Sequence, residues 1–270
     1  MRGNRSIAPG ATMRIDAGTD MNDGEKDEGM FAFNPNASVS SARVGECPIA
    51  VTVADNVLLR PQQLADFGLG LTFVEDDGNL YPGVRARVPA DFSRPFHAWL
   101  TRTLHGTGVL EENSYIYDDA SFFSIVNKSG ADLLPLQRIP HYDSPDPRVF
   151  AAVIYLFDRA NSGTSFYRHR TTGYEKISDD IAGNYKIALN RNMKQFGPPA
   201  REYTNGSNAL FERTHSVDSA FNRIVIYSGN ALHAADIDGS LFSGNDNSQW
   251  RLTISSLIRT HTDGGVTLND

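Results

Sequence analysis

From residue 115 onward the chain is a series of short apolar runs cut by turn formers, and this pattern sets the class of fold before any motif is considered. Tyr115–Val126, Leu133–Ile139, Val149–Phe157 and Thr164–Tyr167 are rich in β-branched and aromatic residues, as strands are. Asn127–Gly130, Ser144–Pro147 and Asn161–Gly163 separate them with residues that favour tight turns. Residues 173–196 break the series. There Ser178 is placed to cap a helix with Ile181, Tyr185, Ala188 and Leu189 on one side, and Gly197-Pro198-Pro199 stops it. Strands resume at Ala209–Arg213, Arg223–Tyr227 and Arg251–Ile258. Many short strands around one helical insertion predict a mainly β fold, a sandwich or barrel with helices packed outside.

The first half of the chain supports that core. Residues 1–40 crowd Asp16, Asp20, Asp23, Glu25, Asp27 and Glu28 among glycines with few apolar anchors, the composition of a flexible tail. Order is expected from about residue 48, where Pro48–Ala54 has strand composition. Asp55-Asn56 then turns the chain, and Pro61–Phe67 has the proline-first signature of a short helix. After a turn at Tyr81-Pro82-Gly83, a helix from Asp91 to Leu104 carries Phe96, Trp99, Leu100 and Leu104 at helical spacing. The domain plan is a tail over 1–40 and one domain over 48–265. Its support spans 48–114 and its β core 115–260.

Composition closes off several functions. The single cysteine, Cys47, excludes a disulfide framework and a cysteine zinc cluster. A formal charge of −7 argues against general nucleic-acid binding. No apolar stretch approaches the roughly 20 residues of a membrane span, and the first residues lack a secretory h-region. The expected setting is the cytoplasm, with neither nucleic acid nor membrane as partner; the oligomeric state is unreadable.

Among seven histidines, one arrangement has metal-site chemistry. His141-Tyr142-Asp143 puts an imidazole and a carboxylate at i and i+2, on one face of extended backbone. His233 follows the strand Arg223–Tyr227 and the turn Ser228-Gly229-Asn230. Two imidazoles and one carboxylate make the facial triad of non-haem Fe(II) sites, which leaves open positions for substrates. The triplet alone is weak, and a second one, His261-Thr262-Asp263, lies in a Gly-rich tail with no histidine after it. Downstream of His233, Arg251 and Thr253 share one face of a strand. An arginine pointing inward there needs an anionic partner, and its planar fork suits a carboxylate.

With these residues in order, the chain resembles the Fe(II)/2-oxoglutarate-dependent oxygenase superfamily. It is most like the prolyl-hydroxylase-type branch and its bacterial relatives of uncharacterised function. The matching residues are His141–Pro145, Val153–Phe157, Gly163–Phe166, Asn222–Tyr227, His233 and Arg251–Thr253. The resemblance implies a double-stranded β-helix, or jelly roll, with iron at one open end. His141, Asp143 and His233 would then ligate Fe(II). Arg251 would hold the distal carboxylate of the cosubstrate 2-oxoglutarate, with Tyr155 and Thr253 as its hydrogen-bonding neighbours. O2 would be the co-reactant. In related halogenases a small residue replaces the metal carboxylate, so Asp143 favours hydroxylation. The family's Gly-Gly-x-Thr turn reads Ser162-Gly163-Thr164 here. The insertion at 173–208, between the fourth and fifth core strands, is expected to border the mouth of the metal site and govern substrate choice.

The resulting expectation is a 2-oxoglutarate-dependent dioxygenase acting on a small molecule, amino acid or peptide side chain. Two alternatives stand beside it: a jelly-roll metalloprotein that does not use 2-oxoglutarate, and a non-catalytic binding module. Arg168-His169-Arg170 reads as a solvated strand end or an anion-binding cluster, and His215, Trp99 and Trp250 read as structural.

Overall fold

The computed structural model describes residues 12–14, 29–75, 80–159, 162–237 and 250–263. Its strands are β1 (Thr12–Arg14), β2 (Ser38–Val44), β3 (Ile49–Asp55), β4 (Thr72–Val74), β5 (Gly83–Arg87), β6 (Ser114–Val126), β7 (Val149–Tyr155), β8 (Thr164–His169), β9 (Phe211–Val217), β10 (Arg223–Ser228), β11 (His233–Ala235) and β12 (Leu252–Thr262). Three helices accompany them: α1 (Pro61–Leu69), α2 (Ser93–Gly106) and α3 (Asp179–Phe196). The strands form a nine-stranded antiparallel sheet, β1-β4-β5-β6-β12-β7-β10-β3-β2, and a three-stranded sheet, β11-β8-β9. Core strands alternate between the sheets along the chain: β6 and β7 in the large one, β8 and β9 in the small one, then β10, β11 and β12 crossing between them. That is the strand order of a jelly roll, the fold expected from the sequence.

The period-2 alternation of β7 explains how the large sheet holds both its layers. Phe150, Ala152 and Ile154 face outward into a cluster with Leu64 of α1 and Phe96, Leu100 and Leu104 of α2. Ala151 and Tyr155 face inward against Phe166 and Val217 of the small sheet. On α2 the apolar spacing becomes a buried stripe, Phe96, Trp99, Leu100 and Leu104. Phe92 stacks at 4.8 Å from Phe96, and Phe33 at 5.5 Å from Phe96. Each fully buried ring of this kind contributes roughly 1.5–3 kcal/mol over leaving it exposed.

Three expectations from the sequence need revision. The tail does not extend to residue 40: Met30 and Phe31 are buried in the α1/α2 core, and β2 pairs along the whole of β3. The serines and exposed alternation of β2 (SVSSARV) hid an edge strand whose stability comes from its neighbour. The acidic residues of the tail, Asp16 to Glu28, lie outside the described residues. The strand expected at Leu133–Ile139 is instead a short 3-10 turn over Pro135–Arg138. Pro135 supplies no N–H, and only Leu133 and Ile139 of that run are buried. β9 also begins later than its composition indicates, because the Asn208 side chain accepts from the N–H groups of Leu210 and Phe211 and makes a turn of that stretch.

Two residues lock the geometry around the barrel. Asn222 adopts a left-handed backbone conformation (φ 63°). Its amide oxygen accepts from the Leu58 N–H at 2.8 Å and its Nδ2 donates to the Leu58 carbonyl at 3.0 Å. Gly163 passes so near β9 that a Cβ there would lie 1.9 Å from the Val217 carbonyl oxygen. Gly163→Ala is therefore expected to lower stability by about 1–3 kcal/mol, the scale of overpacking a filled site. Denaturant titration checks this, and an unchanged midpoint would show that β8 and β9 separate freely.

Candidate metal centre

A single bridge holds the histidines together. His141 and His233 exchange backbone hydrogen bonds of 2.9 and 2.8 Å, which adds residue 141 as a fourth rung to the small sheet. Cross-strand partners of this type carry their side chains on one face, and the two rings lie 4.4 Å apart. Asp143 is pinned by its N–H to the Gly229 carbonyl at 2.8 Å, on the turn that leads to His233. The donor atoms of His141, Asp143 and His233 all fall within 4.8 Å of one another. Asp143 reaches toward both rings, 3.9 Å from Nε2 of His141 and 3.6 Å from Nε2 of His233. These separations are too long for hydrogen bonds and suited to ligands converging on an ion about 2 Å from each.

The protonation states fit the same role. Nδ1 of His233 donates to the Ala231 carbonyl at 3.0 Å, and Nε2 is the nitrogen turned toward Asp143. Crowding by protein around the His141 ring, and His233 beside it, hold its pKa below 6.5, to about 4, while Asp143 opposes them. The His141 side chain keeps 53 % of its surface exposed. The crowding and His233 both favour the neutral ring. Two imidazole nitrogens and one carboxylate form a donor set into which a divalent ion fits.

Arg251 sits at the other end of the barrel, 4 % exposed. Its Nε and Nη2 donate to the carbonyls of Ser162 and Gly163 at 3.0 and 3.1 Å. The guanidinium stands 5.8 Å from the Tyr155 ring and 5.6 Å from the Phe157 ring. Among the described residues no carboxylate lies within ion-pairing distance, although buried Asp236 acts on it through space. Thr253 and Tyr155 are cross-strand neighbours, but both hydroxyls already have protein partners. Tyr155 shares a hydrogen bond with Thr164 at 2.8 Å. Thr253 donates to the Ser124 carbonyl at 3.4 Å.

Three phenols near this end were not singled out from sequence. Tyr81, read only as part of a turn, is raised above its usual pKa by burial, opposed by Arg251 and Arg85, and its hydroxyl contacts Ser124 and Thr253. Tyr203 comes from the insertion and is raised by burial, with Arg251 opposing. Tyr227 lies edge-on to His233 at 4.7 Å and to Phe166 at 5.1 Å. Burial raises its pKa well above the usual value, with Asp143 adding and Arg251 opposing. It therefore bridges the space between the two ends. Burial likewise pushes Tyr155 up to about 12. All of these phenols keep their protons at neutral pH and remain hydrogen-bond donors. Their only sequence signal is an aromatic at an inward strand position or beside a turn, which core packing also produces.

Other sequence candidates resolve into structure. Arg168 pairs with Glu46, Glu175 and Glu212, His169 is buried against Thr172, and Arg170 donates to the Asn208 carbonyl. The cluster is a tie between elements and not an anion site. His261 belongs to β12 and not to a loose tail, paired with Tyr115 of β6. The insertion does not overhang the metal centre as a whole. α3 lies on the outer face of the small sheet, where Tyr185 and Leu189 pack with Tyr167, Leu232 and Phe211. Tyr185 meets Tyr142 there at 6.2 Å, behind His141 and Asp143, which flank Tyr142. The return segment does reach the barrel end: Tyr203 packs with Val126 and Ile237 and donates to the Lys128 carbonyl. A cavity of about 220 Å³ runs along that return segment and touches no metal-ligating group.

The chain belongs to a family of unknown function, DUF6445, whose model matches residues 35–258. That span contains every residue of the two ends just described. No protein of curated function has a matching sequence. Among solved structures the chain is similar to AviO1 from Streptomyces viridochromogenes Tue57, at 12% identity and a TM-score of 0.34 over 69% of this chain and 72% of that one. It is also similar to an N-substituted L-amino acid dioxygenase from Burkholderia ambifaria AMMD, at 10% identity and a TM-score of 0.36 over 85% and 96%. Likenesses this distant carry no argument about chemistry. Among the described residues no helix is long and apolar enough to cross a membrane.

Proposed function

We propose that the protein is an Fe(II)- and 2-oxoglutarate-dependent dioxygenase that hydroxylates a small molecule, amino acid or peptide side chain. The observation that carries this reading is the pairing of two features on one barrel. One end gathers two imidazoles and a carboxylate with donor atoms within 4.8 Å of one another. The other buries a guanidinium that has carbonyl partners but no ion-paired carboxylate among the described residues. A buried charge is costly without an opposite one, and a ligand carboxylate would supply it.

Bound iron would supply O2 activation coupled to oxidative decarboxylation of the 2-oxo acid to succinate. The chain's own part is to hold and orient. His141, Asp143 and His233 would hold the ion. Arg251 would take the distal carboxylate, and protonated Tyr81, Tyr155 and Tyr227 line the way between the ends. The aromatic interior formed by Tyr155, Phe166 and Tyr227 excludes water.

The test is succinate formation by the full chain supplied with Fe(II), 2-oxoglutarate and O2. A slow uncoupled rate is expected without substrate, rising when a panel of small molecules includes the right one. Iron binding with no 2-oxoglutarate consumed under any condition would overturn the reading in favour of a metalloprotein that does not use this cosubstrate.

A further inference from the structure

Asp143 lines a second cavity, of about 310 Å³, together with Tyr117, Arg148, Val149, Leu257 and Arg259. This cavity lies on the side of the metal ligands away from Arg251. Val149 opens β7, which ends at Tyr155 near Arg251. Leu257 and Arg259 lie toward the far end of β12, which starts beside Arg251. The space therefore borders a metal ligand without overlapping the Arg251 end. Its volume is at the low end of small-molecule sites, roughly 300–1,000 Å³.

The walls are specific in charge. Arg148 gives Nε and Nη2 to the Asp146 carboxylate at 3.1 and 2.8 Å, and Arg259 gives Nη1 to Asp118 at 2.8 Å. Each guanidinium has five N–H groups in a fixed fork, so both keep donors beyond those their partners take. The two arginines are also held in register. Val149 is the cross-strand partner of Arg259, and the Arg148 carbonyl accepts from both the N–H and the hydroxyl of Thr260 at 3.0 Å. The pairing of β12 with β6 shifts between Arg259 and Thr260, the type of irregularity that re-aims a side chain. Among the charged lining groups, Arg148 and Arg259 face Asp143 and Asp146. A divalent ion on Asp143 would leave the cavity net positive.

We propose that this cavity is the substrate pocket and that Arg148 and Arg259 receive the carboxylate of a small anionic substrate. Val149, Leu257 and Tyr117 supply the apolar wall for its carbon skeleton. The proposal rests on reading His141, Asp143 and His233 as the metal centre, because that places the pocket beside the reactive position.

The test titrates zinc-loaded full-length protein with N-acetylglycine and, separately, with the uncharged N-acetylglycinamide, followed by amide NMR shifts. The acid is expected to shift Val149 and Leu257–Thr260 saturably, and the amide is not. Arg148→Gln/Arg259→Gln should weaken the acid by roughly tenfold or more, the scale of a lost charge-assisted fork, while zinc affinity stays unchanged. Arg259→Lys should fall between. Equal shifts from acid and amide, shifts confined to Arg251 and Tyr155, or undiminished binding by the double variant would each overturn the proposal. The titration repeated without zinc keeps the two readings apart. Arginine-dependent binding of the acid there supports the pocket even if zinc fails to bind, and that failure would count against the metal centre alone.

Discussion

Arg251→Leu is expected to raise the 2-oxoglutarate concentration needed for half-maximal succinate formation by about 100-fold, with metal affinity unchanged. The magnitude follows from what the side chain offers. A buried charge-assisted pair costs 2–5 kcal/mol or more when one partner is truncated, and 100-fold corresponds to about 2.7 kcal/mol. Arg251 is anchored by the Ser162 and Gly163 carbonyls at 3.0 and 3.1 Å, so its fork is fixed before any ligand arrives. Leucine leaves those carbonyls without their donor but also removes a buried charge, so the folded protein should survive with a modest loss of stability. The candidate ligands His141, Asp143 and His233 stand on β11, the residue 141 rung and the loop bonded to Gly229, none of which Arg251 touches through a hydrogen bond. Arg251→Lys should recover part of the affinity as a point charge without the fork. An unchanged 2-oxoglutarate requirement in the leucine variant, with activity otherwise present, would remove Arg251 from cosubstrate binding. A parallel loss of metal affinity would show that the two ends are not independent.

The parts legible in the sequence are those in which local pattern and tertiary need agree. β3, β6, β7, β8 and β10 are apolar runs bounded by turn residues, and α2 is an apolar stripe at helical spacing. Each is buried where its pattern says. The parts that were not legible depend on partners. β2 is a polar edge strand that pairs with β3 and packs one residue, Val44, against the inner cluster. β11 is three residues long and exists through β8 and the His141 bridge. Leu133–Ile139 has strand composition, but Pro135 deprives it of a ladder. At the site, the i, i+2 spacing of His141 and Asp143 carried the decisive information. Their convergence with His233 depended on a cross-strand bridge that no spacing shows. Tyr81, Tyr203 and Tyr227 stayed invisible because a buried phenol beside a site and a buried phenol in a core have the same sequence signature. The insertion was visible as a helix with one apolar side. Which surface that side covers was set by Tyr167, Phe211 and Leu232 on the outer face of the small sheet.

Asp143→Ala is expected to remove tight divalent-metal binding, with affinity falling by about a thousandfold, roughly 4 kcal/mol. The carboxylate is the single anionic donor of the set, and its oxygens lie between the two Nε2 atoms at 3.9 and 3.6 Å. Without it, two imidazoles remain, an incomplete set for a divalent transition-metal ion. The variant should fold as well as the parent. Asp143 is tied into the turn by its backbone N–H to Gly229, which alanine keeps. Its side chain is too far from either imidazole to form a hydrogen bond whose loss would matter. The readout is therefore the thermal midpoint with and without added Co(II) or Zn(II). In the parent chain, metal at a hundred times its dissociation constant should stabilise the fold by about 2.7 kcal/mol, because it binds the folded state alone. In Asp143→Ala that metal-dependent shift should vanish while the metal-free midpoint stays in place. A metal-induced shift of undiminished size in the variant would show that the ion binds elsewhere. A metal-free midpoint that collapses would show that the carboxylate holds the loop rather than the ion.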